Sequence, residues 1–146
     1  MRIETGRGLV QVSQKAYIEN LLKRFNVDER QMASTPMAVN ITELEVSTSS
    51  KLQTRDPYQC IVGSLNYLAH ASRPDIMFAV NTLSRFLMKP QQTHLEAAIR
   101  VLRYLNRTKD MTMHFRDATL VEGNLLLRGL CAFCDTSYPS KDTPDS

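Results

Sequence analysis

The sequence predicts an α+β fold in which a cluster of four helices is flanked by an N-terminal β-hairpin and a short C-terminal β-meander. Two observations predict this class. Apolar residues follow helical spacing in four segments between residues 14 and 107, and apolar and polar residues alternate in short segments near both ends of the chain. With 146 residues, of which 42% are hydrophobic, the chain can bury one modest core and is too short for two full-sized domains.

The N-terminal residues predict a hairpin that leads into the first helix. Apolar and polar residues alternate over Leu9–Ser13, residues 6–8 are typical of a tight turn, and residues 1–5 would form the first arm. From residue 14 to residue 25 the apolar side chains follow helical spacing, and Ser13 is positioned to cap this helix. A chain that opens inside a hairpin arm is expected to be a piece of something longer.

Residues 28–56 predict an extended linker. This stretch has no sustained hydrophobic periodicity, contains Pro36, and is rich in serine and threonine from residue 33 onward. A loop of this length is unusual inside a compact domain, so we expect it either to lie extended over another surface or to act as a mobile connection.

Residues 57–109 predict three helices in close succession. In the first of them, Asp56 is positioned as the N-cap, Pro57 suits the first turn, and Gly63 would allow another element to pack closely. The aromatic residues of the three helices are expected to be buried or half-buried, since helical spacing places them beside the apolar stripes; they are Tyr58, Tyr67, Phe78, Phe86 and Tyr104.

The other two helices of this segment are bounded by prolines and by a capping pattern. The second is expected to open at Pro74, where Asp75 suits the positive end of a helix, and to stop at Pro90. The third begins with Thr93 and Glu96, the spacing of a capping box, and runs to about residue 107.

The C-terminal part of the sequence returns to short strand-like segments. Residues 111–115, 124–128 and 130–134 are the strand candidates within residues 110–135, and the polar residues 136–146 are expected to be disordered. Cys131 and Cys134 have metal-ligand spacing, but two further ligands are not grouped with them, so we expect ordinary thiols and no bound metal.

Composition excludes several classes of protein. No run approaches the roughly 18 consecutive apolar residues of a membrane span, and no apolar signal-peptide segment follows Met1, so a soluble, intracellular chain without membrane contact is expected. Three cysteines in such a chain favour reduced thiols over a disulfide framework.

The positive charge is concentrated between residues 85 and 116, where seven lysines and arginines face two acidic residues, a local net charge of +5. Arg100, Arg103 and Arg107 share one helical face and are followed by Lys109, so this face could contact nucleic-acid phosphates. The alternative is a solvated helix face on which Glu96 pairs with Arg100.

Several sequence blocks, in register over about residues 3–116, resemble the copia-type retrotransposon polyprotein downstream of its polymerase active site. They are "SQKAYI" from Ser13, "LLKRF" from Leu21, "STPM" from Ser34, "PYQ" with "IVGSLNYLA" from Pro57, "RPDI" with "FAVN" and "LSRF" from Arg73, and "THLEAA" with "RVLRYL" from Thr93.

The resemblance implies a division of the chain along a reverse transcriptase polyprotein. Residues 1–27 would be the end of the palm and thumb, 28–56 the linker, 57–109 a helical cluster like the thumb and connection, and 110–135 strands leading into a truncated RNase H domain. In such an enzyme the helical elements hold the primer-template duplex, so the implied partners are nucleic acid and the remainder of the polyprotein.

The chain departs from that family where the chemistry lies. The paired polymerase aspartates have no counterpart, and Asp135 alone matches, weakly, the first metal-binding aspartate of RNase H. Two-metal phosphoryl transfer needs several converging carboxylates, so the isolated chain is not expected to be an enzyme or to hold a cofactor, whereas the parent enzyme would use Mg²⁺. Two alternatives stay open: a free-standing basic nucleic-acid-binding module, and a helical protein-interaction module that self-associates through exposed apolar surface.

Overall fold

Four helices and three short strands make up the part of the chain that the computed structural model describes, which is residues 1–6, 9–28, 30–38, 52 and 54–116. Strand β1 (Arg2–Gly6) pairs antiparallel with β2 (Leu9–Ser13), with Ile3 opposite Val12. Strand β3 (Met113–Arg116) lies on the other side of β2, which gives the sheet order β1-β2-β3. The α+β class predicted from the sequence is confirmed.

Strand β3 corresponds to the first of the three strands predicted after residue 110. It begins two residues after the predicted start at residue 111 and extends the N-terminal hairpin, a pairing that the sequence pattern did not predict. The other strand candidates, residues 124–128 and 130–134, and the tail 136–146 lie outside the described residues.

The helices follow the four predicted segments. They are α1 (Lys15–Arg24), α2 (Asp56–Ala71), α3 (Met77–Ser84), which a 3₁₀ turn (Pro74–Ile76) precedes, and α4 (Gln92–Arg107). None of the helices in the described part is long and apolar enough to cross a membrane.

The first two helices begin differently from the prediction. Gln14, not Ser13, is the N-cap of α1, because its side chain is drawn into the core, where its amide oxygen accepts a hydrogen bond from the Ser72 hydroxyl. At α2 the N-cap is Arg55, and Asp56 occupies the first turn together with a proline.

The capping box of α4 lies two residues before the predicted pair, Thr93 and Glu96. Gln91 is the N-cap and His94 the reciprocal partner, whose Nδ1 accepts the backbone N–H of Gln91 at 3.0 Å. The His94 ring is 2% exposed and stacks on Phe86, with ring centroids 4.0 Å apart, so the buried ring fixes the start of the helix.

Helix α3 is shorter than predicted and ends at Ser84, well before Pro90. The backbone N–H groups of Arg85 and Phe86 donate to carbonyls three residues earlier, at 3.3 and 3.0 Å, which tightens the chain into successive turns. The chain therefore leaves the helix at the point where the Phe86 ring meets His94.

Tyr58 lies at the centre of the hydrophobic core and is fully buried. Its hydroxyl donates to the Leu83 carbonyl at 2.7 Å and so joins α2 to α3, while burial raises the pKa of the phenol. The largest of the other fully buried residues come from every helix: Ile18, Leu65, Leu68, Ile76, Leu83, Leu102 and Leu105. Phe86 and Tyr104 are half-buried as expected, but the prediction is wrong for Tyr67 and Phe78, which are 50% and 65% exposed.

A buried guanidinium connects the end of α2, the 3₁₀ turn and the end of α4. The Arg73 side chain is 4% exposed, and its Nε and Nη2 donate to the two carboxylate oxygens of Asp75 at 2.9 and 2.7 Å. The same guanidinium donates to the carbonyl and hydroxyl oxygens of Thr108 at 3.1 and 2.6 Å and lies over the Tyr104 ring. The Tyr104 hydroxyl completes the network by donating to Asp75 at 2.9 Å.

Two opposing effects act on the Asp75 carboxyl. Burial favours its neutral form, but the hydrogen bonds and positive charge of Arg73 and the hydrogen bond from Tyr104 outweigh burial and lower its pKa. A carboxyl whose pKa is lower in the folded chain stabilises the fold above its unfolded pKa of about 4, and this stabilisation is lost as the pH falls through the folded value.

We predict that Asp75→Ala lowers the free energy of unfolding by about 3 kcal/mol at pH 7, because it leaves the buried Arg73 charge without its carboxylate. Urea unfolding followed by circular dichroism measures this loss, and the difference between the two proteins should shrink below about pH 4.

The matched control is Glu4→Ala, which removes an exposed ion pair with Arg2 and should cost less than about 1 kcal/mol. Equal losses for the two variants, or a loss at Asp75 that does not change with pH, would contradict the role given to the buried network.

Gly63 faces open space on α2. The prediction that another element packs closely against Gly63 is wrong for the described residues, because nothing lies within 4 Å of the position that a Cβ atom would take. Gly63 instead lines a shallow groove between α2 and α3 together with Gln59, Asn66 and Leu87.

We therefore predict that Gly63→Ala stabilises the chain by about 1 kcal/mol, since alanine restricts the unfolded backbone and meets no neighbour. The midpoint of urea unfolding measures the gain, and Asn66→Ala on the same exposed face should give a smaller one. A destabilised Gly63→Ala variant would contradict the open surroundings of this position.

Candidate nucleic-acid interface

The predicted arginine face lies on the outward side of α4. The buried side of this helix carries Ala98, Val101 and Leu105, and helical geometry places Arg100, Arg103 and Arg107 opposite these residues. Leu102 completes the buried side, whereas Leu95 and Ile99 are half-buried.

Residues 33–37, which we call the strap, cross this outward side of the helix. The Ala33 N–H donates to the Arg103 carbonyl at 3.4 Å, and Nη2 of Arg100 donates to the Thr35 hydroxyl at 3.0 Å. The same hydroxyl donates to the Met37 carbonyl at 2.9 Å. Because the strap covers part of the face, Arg100 and Arg103 are half-buried, whereas Arg107 is exposed.

The charge on this face has no acidic counterpart in the described part of the chain. No carboxylate there forms an ion pair with Arg100, Arg103 or Arg107, and Nε of both Arg100 and Arg103 is buried without a hydrogen-bond partner. Glu96, the expected partner of Arg100, instead accepts a hydrogen bond from Gln92 at 3.3 Å. The positive charge of these guanidinium groups is therefore not neutralised by a carboxylate of the described residues, which favours contact with an external anion.

Lys109 lies in the turn that follows α4. It lines a cavity of about 480 Å³ together with Lys23, Glu19 and Asn26, where α1 ends. The structure thus brings Arg100 and Arg103 together under the strap, places Arg107 further along the same helix, and separates Lys109 from the strap contacts. The mixed charges of the cavity make it a weaker site for an anion than the arginine face.

Sequence reasoning missed two contributors to this region. Thr35 belongs to the "STPM" block of the sequence, and its contact with Arg100 joins residues 65 positions apart, which no local pattern reveals. Arg73 belongs to the "RPDI" block and contacts the end of α4 at Thr108, and an arginine next to a Pro-Asp pair is a local signal for a buried ion pair.

Comparison with known proteins gives a consistent group of relatives. The chain is 35% identical over 144 residues to the putative transposon Ty5-1 protein of Saccharomyces cerevisiae, covering 98% of this chain and 44% of that protein. It is 44% and 38% identical to the retrovirus-related Pol polyproteins from transposons RE1 and RE2 of Arabidopsis thaliana, over 94% and 92% of this chain and 8% of each polyprotein. The chain is homologous to retrotransposon Pol polyproteins.

These relatives confirm the resemblance at the level of the retrotransposon polyprotein. The chain spans less than half the length of the Ty5-1 protein and less than a tenth of the length of the RE1 and RE2 polyproteins. No family model and no solved structure matches it.

The sequence positions considered above for metal binding are one aspartate and two cysteines. Asp135, Cys131 and Cys134 fall outside the described residues. Within residues that the structure does describe, no group of three or more histidine, cysteine, aspartate or glutamate side chains is arranged to hold a metal ion.

Proposed function

We propose that this chain is a non-catalytic segment of a copia-type reverse transcriptase polyprotein that holds the primer-template duplex during RNA-directed DNA synthesis. In this proposal the four helices correspond to the thumb and connection region, the strands after residue 110 lead toward RNase H, and the chain acts inside the cell. The observation that carries the proposal is the outward side of α4, where three arginines have no carboxylate partner in the described part of the chain.

The chemistry of that side suits phosphates more than bases. A guanidinium group donates a pair of parallel hydrogen bonds to phosphate oxygens, and such contacts fix the position of a duplex without reading its sequence. The spacing of three and four residues from Arg100 to Arg107 extends over about two helical turns, or about 10 Å, which suits contact with successive phosphates of one strand.

The rest of the polyprotein would supply what the chain lacks. The polymerase aspartates and the later RNase H carboxylates are absent from the sequence, so Mg²⁺ chemistry would belong to the parent enzyme. The isolated chain would therefore bind and orient a duplex while other segments carry out the reaction.

We predict weak binding of an RNA/DNA or DNA duplex without sequence preference, and a plot of log K against log salt with a slope of about −2 to −3. Each phosphate contact contributes about −0.9 to this slope, so Arg100→Ala and Arg103→Ala should each reduce it by up to about one unit. Fluorescence anisotropy at several salt concentrations gives both the affinity and the slope.

Arg55→Ala is the matched control, since it removes the same charge from an exposed position at the start of α2. It should change the slope much less than either α4 variant. A folded chain without salt-dependent binding, or an Arg100→Ala/Arg103→Ala double variant that binds as tightly as the parent chain, would show that the arginines are only a solvated face.

We also predict that the chain incorporates no nucleotides and cleaves no RNA/DNA hybrid in the presence of Mg²⁺, because most of the required carboxylates are missing from its sequence. Primer-extension and hybrid-cleavage assays measure this directly. Activity that disappears in Asp135→Asn would refute the prediction, and activity that remains in that variant would point to a contaminating enzyme.

Exposed apolar side chains favour a second candidate function, that of a helical protein-interaction module. Phe78 and Met88 are 65% and 72% exposed near the two ends of the α3 segment, and Phe115 on β3 is 55% exposed. Such side chains favour association with the remainder of a polyprotein or with another copy of the chain. Sedimentation separates the two functions, since concentration-dependent association without duplex binding would favour this second one.

A further inference from the structure

Thr35 combines accessibility with a recognisable local sequence. It lies exposed in the strap, between the exposed Ser34 and the half-buried Pro36. The sequence holds two Thr-Pro pairs, at Thr35 and at Thr143, and no Ser-Pro pair. Within the described part of the chain, the strap therefore presents a hydroxyl followed by proline on an irregular surface segment.

The surroundings of the hydroxyl are suited to a phosphate group. Nη2 of Arg100 already lies 3.0 Å from Oγ1 of Thr35, and the Arg103 carbonyl receives the N–H of Ala33 two residues earlier in the strap. Both arginines have a buried Nε without a hydrogen-bond partner, and no carboxylate in the described residues competes for them. A dianion attached to Thr35 would thus lie against the Arg100 guanidinium, whose charge no carboxylate in the described residues neutralises.

We propose that Thr35 is a phosphorylation site for a proline-directed kinase and that its phosphate occupies the arginine face in place of a duplex phosphate. In this step Oγ1 of Thr35 forms a bond to the γ-phosphorus of ATP, the bond to the bridging oxygen breaks, ADP leaves, and the hydroxyl proton passes to solvent. The inhibitory consequence depends on the proposed duplex binding, whereas the pairing of the phosphate with the arginines does not.

Access by a kinase needs only local detachment of the strap. The strap contains no helix or strand, and its backbone link to α4 is one long hydrogen bond of 3.4 Å, so lifting it costs little backbone hydrogen bonding. Burial of Ala33 and partial burial of Met37 would return the strap to α4 afterwards.

The modified strap would compete strongly with a duplex. A phosphothreonine carries a charge of about −1.5 to −2 near neutral pH, and because it is tethered beside the arginines its effective concentration there is on the order of millimolar or higher. A free duplex at micromolar concentration makes only weak phosphate contacts, so it cannot displace the tethered phosphate from the arginines. Phosphorylation removes the proton through which the Thr35 hydroxyl donates to the Met37 carbonyl, so this hydrogen bond is lost. New hydrogen bonds between the phosphate and the arginines offset the loss.

The experiment uses the full chain with Thr143→Ala, so that Thr35 is the remaining Thr-Pro site. The folded protein is incubated with a proline-directed kinase and ATP, and the modified residue is located by mass spectrometry of peptides. We expect one phosphate, at Thr35, and none in the Thr35→Val version of the same protein. Failure to modify Thr35 in the folded chain would overturn the assignment of the site.

Two readouts then test what the phosphate does. Thermal unfolding should show a higher midpoint after phosphorylation, and Arg100→Ala should abolish this gain because it removes the partner of the phosphate. Duplex affinity should fall by about tenfold or more, with a shallower salt slope. An unchanged unfolding midpoint, or a gain that persists in Arg100→Ala, would overturn the proposed pairing.

The two readouts separate this inference from the proposed function. If the unmodified chain binds no duplex but phosphorylation raises the unfolding midpoint through Arg100, the site is supported while duplex binding fails. If the unmodified chain binds a duplex and phosphorylation leaves both the affinity and the midpoint unchanged, duplex binding is supported and the strap site is refuted.

Discussion

The buried guanidinium of Arg73 is the constraint on which the relative placement of three elements depends. Its side chain contacts Asp75 within the 3₁₀ turn and Thr108 at the end of α4, and Tyr104 completes the network. A buried charge is tolerated only when its donors are hydrogen-bonded. The segments that supply the acceptor oxygens are therefore held in fixed positions relative to the guanidinium. This network fixes the C-terminal end of α4, and the stacked Phe86 and His94 rings fix its N-terminal end. Between these two points the helix presents its arginines to the strap and to solvent.

Much of the fold could be predicted from local sequence because the interactions that determine it are local. Helical spacing predicts all four helices, alternation predicts β2, and the turn at residues 6–8 predicts β1 as the other arm of the hairpin. The errors fall where a distant contact overrides a local preference. Gln14 replaces Ser13 as a cap because Ser72 holds its side chain in the core, and the capping box moves to His94 because Phe86 stacks on that ring. The same reason explains β3, whose partner β2 lies about 100 residues earlier in the chain.

In the candidate site, too, the local arrangement could be predicted from the sequence and the distant contact could not. The spacing of three and four residues was sufficient to place Arg100, Arg103 and Arg107 on one face of α4, because a helix fixes that geometry. The same spacing could not predict that the strap covers part of this face, since the contact of Thr35 with Arg100 depends on the path of the chain between α1 and α2. Grouping Lys109 with these arginines remains a prediction, and the structure places it beside Lys23 at the end of α1.

The sheet order has a consequence for folding during synthesis. Strands β1 and β2 are synthesised before the other described elements of this chain, but an isolated two-stranded hairpin is marginally stable in water. The strand that covers the other edge of β2 is made about 100 residues later, after all four helices. At roughly 5 to 20 residues per second, that edge stays unpaired for about 5 to 20 seconds. Helices α2 to α4, which are adjacent in sequence and need no distant strand, would be folded before the sheet is complete.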